Sequence, residues 1–527
     1  MDIHRSEFEA QFPAIKRAIQ RADFVAFDTE LTGLHTSTSD RPHSLDDPSM
    51  RYQKLRDTVA NFEIVQIGIA TFTWNPQPFS FSDQLEHARR NGVYEVKAFN
   101  FYLFPTTLNG RAQRDRCFMV QSSAFDFLSR SNFDFNKWVF QGVPYLTRKE
   151  QAQYRGSRLP EVMGDLPDIE VDGRSQLFVD DVRSQLRQWL DNPQAKPYLN
   201  ITTTNGYHKR LVHQEVRKAD PMLVADGKHD FVQVSRASKE EIERRCQVRL
   251  QALNRDMERA VGFTRVIEAL VDARKPLLGH NLFLDLCHVF NQFYDVLPPS
   301  LDDFKSQLHQ LFPCIIDTKM IAETAPSIKD LADRTSLEEL HAQLCKHRYP
   351  YPITLLDMQH ARYEQAKGHE AGYDAYITGV LFLELLTIVH THSSSAPMTL
   401  PVDFTTAPIA EFVNRIFLTK SAVSVLNLIG KDEHTVKPNV FYIQTACPNL
   451  TTDDYQLALS DQLGQFFLNP LTADSVFITF SQIPSALFQM GESIEYLLEA
   501  YCKENKVDQA WRGTVMSYAE FAKARTS

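Results

Sequence analysis

No two of the seven cysteines stand as a Cys-x-x-Cys pair; they are scattered at Cys117, Cys246, Cys287, Cys314, Cys345, Cys447 and Cys502. An odd, dispersed set excludes a disulfide framework, argues against a thiolate zinc site and predicts a reducing compartment, cytoplasmic or nuclear. Long apolar runs are also missing. The most hydrophobic stretch, "VLFLELLTIVH" at Val380 to His390, is short and carries Glu384, which predicts a core helix rather than a membrane span. Met1 to Ala10 is polar and acidic, so no signal peptide is predicted there. Positive charge is not in excess either. A formal net charge of −10 excludes the overall field of a non-specific nucleic-acid binder. The basic stretches Arg111 to Arg116, Arg148 to Arg158 and Lys239 to Arg249 read as solvated faces. No tandem repeat of fixed period occurs.

What is present is enough apolar material for several cores. The 527 residues are 43% hydrophobic and include 36 Phe, too long a chain for one compact core, so two to four domains are expected. "FEIVQIGIATFTW" (Phe62 to Trp74) and "YEVKAFNFYLF" (Tyr94 to Phe104) alternate like strands. Between the first strand and these lies Thr36 to Met50, rich in Ser, Asp, His and Pro, which reads as a mobile loop. Around Leu159 to Gln176 the chain turns rich in Pro, Gly and Asp, a boundary signal. A small α/β unit follows, with helices near Val179 to Leu190 and Tyr207 to Lys218 and a strand at His229 to Arg236. One long helix is predicted from Lys239 to about Val271. His390 to Pro401 reads as a linker before a last α/β unit with strands Asn439 to Thr445 and Asp474 to Phe480.

The chemistry begins in "FVAFDTELTGLH", Phe24 to His35. Phe24 to Phe27 read as a buried strand. Residues i and i+2 of a strand share a side, so Asp28 and Glu30 project together at its exit. Two such carboxylates repel unless a cation lies between them, and a divalent cation held through oxygen satisfies that; two ordinary surface acids are the bland alternative. In "PLLGHNLFLDL", Asp285 interrupts an apolar series one turn into a helix that follows a strand; a pairing with Lys or Arg is the alternative there. In "HEAGYDAYITG", Asp374 lies near the start of an apolar helix, where a helix N-terminus also favours an acid. His369 stands five residues upstream.

The order of these sites resembles the DEDD superfamily of 3′-to-5′ exonucleases, in the subgroup whose base is His. The sister subgroup has Tyr four residues before the last Asp, where this chain has Glu370. The resemblance extends to the poly(A)-specific ribonuclease family, which includes the exonucleases that trim small-RNA (piRNA-type) 3′ ends. It is carried by "RYQKLRDTVANFEIVQIGIATF", "FNFYLFP", "QSSAFDFL", "FDFNKWVFQGVPYL", "LLGHNLFLDLCHVFNQFY", "FPCIIDTKMIA" and "HEAGYDAYITG", in this order across most of Phe24 to Leu386.

The resemblance implies an α/β fold: an RNase H-like DEDD exonuclease core, a mixed sheet flanked by helices. It implies exonuclease halves at 1–165 and 245–395, an inserted Arg-x-x-x-His-type α/β domain at 177–244 and an RRM-like domain at 405–527. The insert has Lys209 where the motif before His213 has Arg. The RRM-like unit keeps Phe477 and Phe480 but has Ser475 where an aromatic would stack on a base. The implied catalytic residues are Asp28, Glu30, Asp285, His369 and Asp374. The four acids would hold two Mg²⁺ ions, with Mn²⁺ as a substitute, and His369 would act as general base. Nucleoside 5′-monophosphates would leave from RNA 3′-OH ends. Leu31, Leu34, Phe125, Phe127, Asn281 and Lys319 would contact substrate. Leu31 stands where poly(A)-degrading members carry Phe, which bears on adenine preference. A single-stranded RNA 3′ end, a second copy in a homodimer and an Argonaute-family protein presenting the RNA are the implied partners. Poly(A) removal and small-RNA trimming both stay open as functions. So do a non-catalytic RNA-binding adaptor on the same fold and a DNA exonuclease.

Overall fold

Apolar alternation makes strands where it is strongest. The computed structural model describes residues 1–37, 40–76, 92–105, 116–164, 166–347, 349–364, 368–432, 437–445, 450–472, 474–481, 487–505 and 513–526. Among these, the strands in chain order are β1 (Asp2–Ile3), β2 (Phe24–Leu31), β3 (Ile64–Asn75), β4 (Val93–Tyr102), β5 (Tyr198–Thr202), β6 (Leu223–Gly227), β7 (Phe231–Arg236), β8 (Leu277–Gly279), β9 (Ile315–Asp317), β10 (Thr354–Leu356), β11 (Arg415–Phe417), β12 (Val425–Asn427), β13 (Val440–Thr445), β14 (Phe466–Thr472), β15 (Ser475–Phe480) and β16 (Gly513–Ser517). Contacts divide the chain into two units, one of residues 1–106, 114–145 and 263–527, the other of residues 107–113 and 146–262.

The first unit is built on a mixed nine-stranded sheet in the order β1-β4-β3-β2-β8-β9-β11-β12, with β10 beside β4. Strands β2, β3 and β4 form an antiparallel meander, and β8 and β9 extend it in parallel from β2. Antiparallel β4-β3-β2 followed by parallel β8-β9 is the RNase H-like arrangement. The helix Ala371–Ser393 crosses β2, β3 and β4. It has the length and composition to cross a membrane, yet 89% of its apolar window is buried inside the protein. It is the central core helix. Phe24 stacks on Phe72 at 4.7 Å and meets Phe382 of this helix edge-on at 5.4 Å, so the strand that carries Asp28 and Glu30 is locked at its apolar end.

The first unit also holds a four-stranded antiparallel sheet, order β14-β15-β13-β16. Helix Thr452–Leu463 links β13 to β14, and helix Leu487–Glu504 links β15 to β16, a βαββαβ pattern. Phe480 packs in the core between this sheet and its helices. Phe477 and Tyr442 emerge on the other face, where Phe521 of the last helix lies 5.1 and 4.4 Å from their ring centres. Leu45 and Met50 complete that cluster. The sheet face that carries Phe477 is therefore covered around that residue.

That packing corrects the reading of Thr36 to Met50 as a mobile loop for residues 40–50, while 38 and 39 lie outside the described residues. Leu45 and Asp46 are buried, Asp46 pairs with Lys54 at 2.8 Å, and Asp47 caps a helix at Pro48–Val59 by accepting the Met50 N–H. A polar stretch is ordered here by contacts distant in sequence. The nuclease sheet also reaches further than 395. Its last strands, β11 and β12, come from residues that the resemblance placed in the C-terminal domain; three-residue strands carry little readable alternation.

In the second unit, β5, β7 and β6 form an antiparallel sheet against helices Gln176–Asp191 and Gly206–Ala219. The unit runs from Leu146 to Gly262, wider than 177–244, because helix Arg148–Met163 packs on helix Lys239–Val261. The single helix predicted to Val271 is broken at Gly262, with φ 47°, and a new helix starts at Thr264. Lys209 directs its ammonium to the carbonyls of Lys228 and His229 at 2.7 and 2.9 Å, so it is engaged within its own unit. Of the basic stretches, Arg111 to 115 lie outside the described residues.

Candidate active site

Asp28 opposes Gly68 across the β2–β3 pair. A Cβ on Gly68 would fall 1.8 Å from the Ala371 carbonyl oxygen, so only glycine lets the core helix begin this close to the sheet. Gln66 and Asn100, both buried, accept the N–H groups of Ala371 and Gly372 at 3.0 and 3.2 Å. A helix start leaves such donors unpaired, and here two side chains of the sheet fix its place. Asp374 follows in the first turn. Its carboxylate oxygen reaches to within 4.8 Å of those of Asp28 and Glu30.

His369 enters this helix with φ 64°, and its backbone N–H donates to Asp374 Oδ2 at 3.1 Å. Asp374 Oδ1 is buried with no hydrogen-bond partner. Asp285 stands in the first turn of Phe283–Val289, directly after β8. Its Oδ1 accepts from the hydroxyl of Thr29, the residue between Asp28 and Glu30. The structure thus gathers three acids closely and holds the fourth at the edge of the group.

Burial and the neighbouring charges of Asp374 and Asp285 hold Asp28 and Glu30 well above the usual carboxylate range. Asp285 and Asp374 are each pushed up to about 7, chiefly by burial. Four acids that resist ionising together, with one carboxylate oxygen left unpaired, fit an oxygen-bound divalent cation. A buried carboxylate without partner or counter-charge is otherwise costly.

The candidate substrate residues divide. Leu31, only 8% exposed, belongs to the core. Leu34 is 52% and Phe127 45% exposed. The Leu34 N–H donates to the side-chain oxygen of Gln121 at 2.9 Å, and Gln121 caps the helix Ser122–Arg130 that carries Phe127. Phe127 meets the His369 ring edge-on at 4.7 Å. Phe125 is half-buried against Phe135, 4.9 Å between ring centres. Asn281, at φ 66°, is exposed and accepts from Thr419 at 3.0 Å. The Lys319 ammonium is bound by Thr335 at 2.6 and 2.7 Å.

Sequence reasoning missed four residues here. Thr29 and the clamp residues Gln66 and Asn100 lie inside quoted motifs, with nothing in their spacing to single them out. Asp317, buried, accepts the backbone N–H groups of Asn281, Leu282, Lys319 and Phe417 at 2.8 to 3.3 Å. Burial pushes it up to about 6 against those bonds. It ties the β8 exit to β9 and β11. An acid ending the apolar "PCII" was the readable signal.

Comparison with known proteins agrees with this geometry. A family model described as CAF1 family ribonuclease matches residues 3–382. The chain is 30% identical over 544 residues to poly(A)-specific ribonuclease PARN of Xenopus laevis, covering 97% of this chain and 82% of that protein. It is 30% identical to poly(A)-specific ribonuclease PNLDC1 of Mus musculus, covering 84% and 82%. It is 25% identical to the pre-piRNA 3′-exonuclease trimmer of Bombyx mori, covering 88% and 85%.

Proposed function

The chain belongs to the CAF1 ribonuclease family, and from that membership we infer an enzyme that shortens RNA stepwise from its 3′ end. It is a 3′-to-5′ exoribonuclease. The observation that carries the reading to this chain's own residues is the group Asp28, Glu30 and Asp374 around an unpaired Asp374 oxygen, with the backbone N–H of His369 donating to the other oxygen of that carboxylate.

The centre takes divalent metal ions, and we propose two Mg²⁺, with Mn²⁺ as a substitute. Asp28, Glu30 and Asp374 would hold one, and Asp28 with Asp285 the other. Such ions supply charge for the attacking and leaving oxygens of an in-line displacement. Thr29 orients the Asp285 carboxylate by its hydrogen bond. His369 accepts the proton of the attacking water at a ring nitrogen, with the Phe127 ring against one edge of it. The 3′-terminal nucleoside 5′-monophosphate leaves.

Digestion of A-tailed RNA, mixed-sequence RNA and DNA side by side tests the reading. Release of 5′-monophosphates from both RNAs, and not from DNA, is the expected result. No turnover in Mg²⁺ or Mn²⁺ would leave the adaptor reading, and turnover of DNA alone the DNA exonuclease. Deadenylation and small-RNA trimming are the two substrate classes of the relatives' names. We place trimming, on RNA presented by an Argonaute-family protein, slightly ahead, because the sheet face that carries Phe477 is covered by the last helix.

The exposed rim formed by Leu34 and Phe127 is where terminal bases would rest, with Phe125 behind it and Asn281 and Lys319 toward the phosphates. Leu31 shapes the pocket from beneath. Leu34→Phe adds a stacking surface worth roughly 1–3 kcal/mol per base at a position with room for it. The rate ratio for oligo(A) over U-rich RNA is expected to rise several-fold; an unchanged ratio at normal activity would remove Leu34 from base contact. We also infer a homodimer. Light scattering at micromolar concentration should then give about twice the chain mass of 60.5 kDa, and the monomer mass would refute it.

A further inference from the structure

A second group of metal-binding side chains lies away from the nuclease carboxylates. His341 and Cys345 are four residues apart, the spacing that places two side chains on one helix face. They stand on and just after the helix Leu337–Leu344, which packs on Ala371–Ser393. Facing them is Glu384, 4% exposed, the acid that interrupts the most apolar run of the chain. Its Oε2 lies 2.9 Å from His341 Nδ1 and its Oε1 3.4 Å from Cys345 Sγ. Sγ and Nδ1 are 3.7 Å apart.

We propose that His341, Cys345 and Glu384 form a binding site for Zn²⁺ that joins the two helices. With zinc bonds of about 2.0–2.3 Å to N, O and S, the ligand atoms of a tetrahedral site stand about 3.3–3.6 Å apart, so the three side chains need to move only slightly. Scattered cysteines exclude a thiolate-rich zinc site but not a mixed N, S, O one, and this mixture suits a borderline-soft ion rather than Mg²⁺. On binding, the thiol gives up its proton; thiolate, carboxylate and neutral imidazole then balance the ion's two charges. Cys345 is exposed, which leaves an entry path and room for a water in the fourth position.

The site is separate from the nuclease centre. Glu384 lies ten residues beyond Asp374 on one helix, roughly 15 Å along its axis. It is mechanically close, however. Helix Leu337–Leu344 also carries Glu338, whose Oε1 would be 1.7 Å from a Cβ on Gly368, the neighbour of His369. A zinc ion would brace the wall beside the loop that carries the base.

Co²⁺ titration of the full chain tests this. One thiolate-to-cobalt charge-transfer band per chain is expected, displaced by Zn²⁺. The oxygen-only nuclease centre produces no such band. Cys345→Ser should abolish it, and His341→Ala should weaken cobalt binding at least tenfold. With the nuclease centre already saturated with Mg²⁺, Zn²⁺ should raise the melting temperature of the wild type by more than that of Cys345→Ser, a substitution at an exposed position. Absence of the band, or its persistence in Cys345→Ser, would overturn the proposal and leave His341 and Glu384 as a plain ion pair.

Discussion

Asp28→Asn is expected to lower 3′-end hydrolysis by about 10³-fold or more while making the metal-free protein more stable. The loss follows from removing the acid shared by both proposed ions, whose charge stabilisation is worth several kcal/mol, at about 1.4 kcal/mol per decade of rate. The gain follows from the four acids themselves. In the folded, metal-free chain Asp285 and Asp374 are pushed from an ordinary 3.8 up to about 7, and Asp28 and Glu30 stand well above their usual range. Carboxyls with raised folded pKa values bind more protons folded than unfolded. The contribution of these four acids to the stability of the metal-free protein is therefore greatest in acid and declines as pH rises from about 4 to about 7. Asn at position 28 removes one repelling charge, so the decline should be shallower and the melting temperature at neutral pH higher by a few degrees. Melting curves with a chelator and without, from acid to neutral pH, measure both effects. A variant that kept near-normal turnover in Mg²⁺ would falsify the assignment of Asp28, and a lower neutral-pH stability would contradict the charge argument.

The parts of this site that were legible share one property: their meaning is local. Asp28 and Glu30 are tied by strand period, and Phe24 to Phe27 announce the strand. Asp285 and Asp374 are conspicuous as acids in apolar helices. What remained hidden depends on contacts distant in sequence. Gln66 and Asn100 hold the N-terminus of a helix about 300 residues away. Nothing in their own strands distinguishes them from polar residues facing water. Leu31 is a substrate contact only by the implication of the resemblance, and its burial beneath the exposed Leu34 depends on how the end of β2 packs. The stretch 40–50 has the composition of a loop and is ordered by Tyr518 and Phe521. Neither segment alone contains that information. The same packing turns Phe477 from a candidate base-stacking residue into a buried contact. Strands β2, β3 and β4 were legible in their apolar patterns, and their arrangement only through the resemblance. The margins β1, β10, β11 and β12 were not, because two or three residues offer little period to read.

His369→Asn is expected to reduce turnover by about 10²- to 10⁴-fold, the usual contribution of a positioned general base, without loss of fold or of divalent-cation affinity. The choice of Asn is dictated by the backbone. His369 has φ 64°, a left-handed conformation that Asn adopts more readily than most residues, so the substitution removes the imidazole without adding strain. The link between the loop and the metal-binding acid survives, because it is the backbone N–H of residue 369 that donates to Asp374 Oδ2. Phe127 loses its edge contact with the ring but keeps its helix. The effect should therefore fall on kcat, with little change in KM or in the Mg²⁺ concentration for half-maximal rate. Single-turnover rates, with melting temperature and Mg²⁺ dependence measured on the same preparation, separate these outcomes. A tenfold or greater loss of Mg²⁺ affinity at unchanged maximal rate would make His369 an organiser of the metal site. A turnover rate close to the wild type's would place the proton acceptor elsewhere.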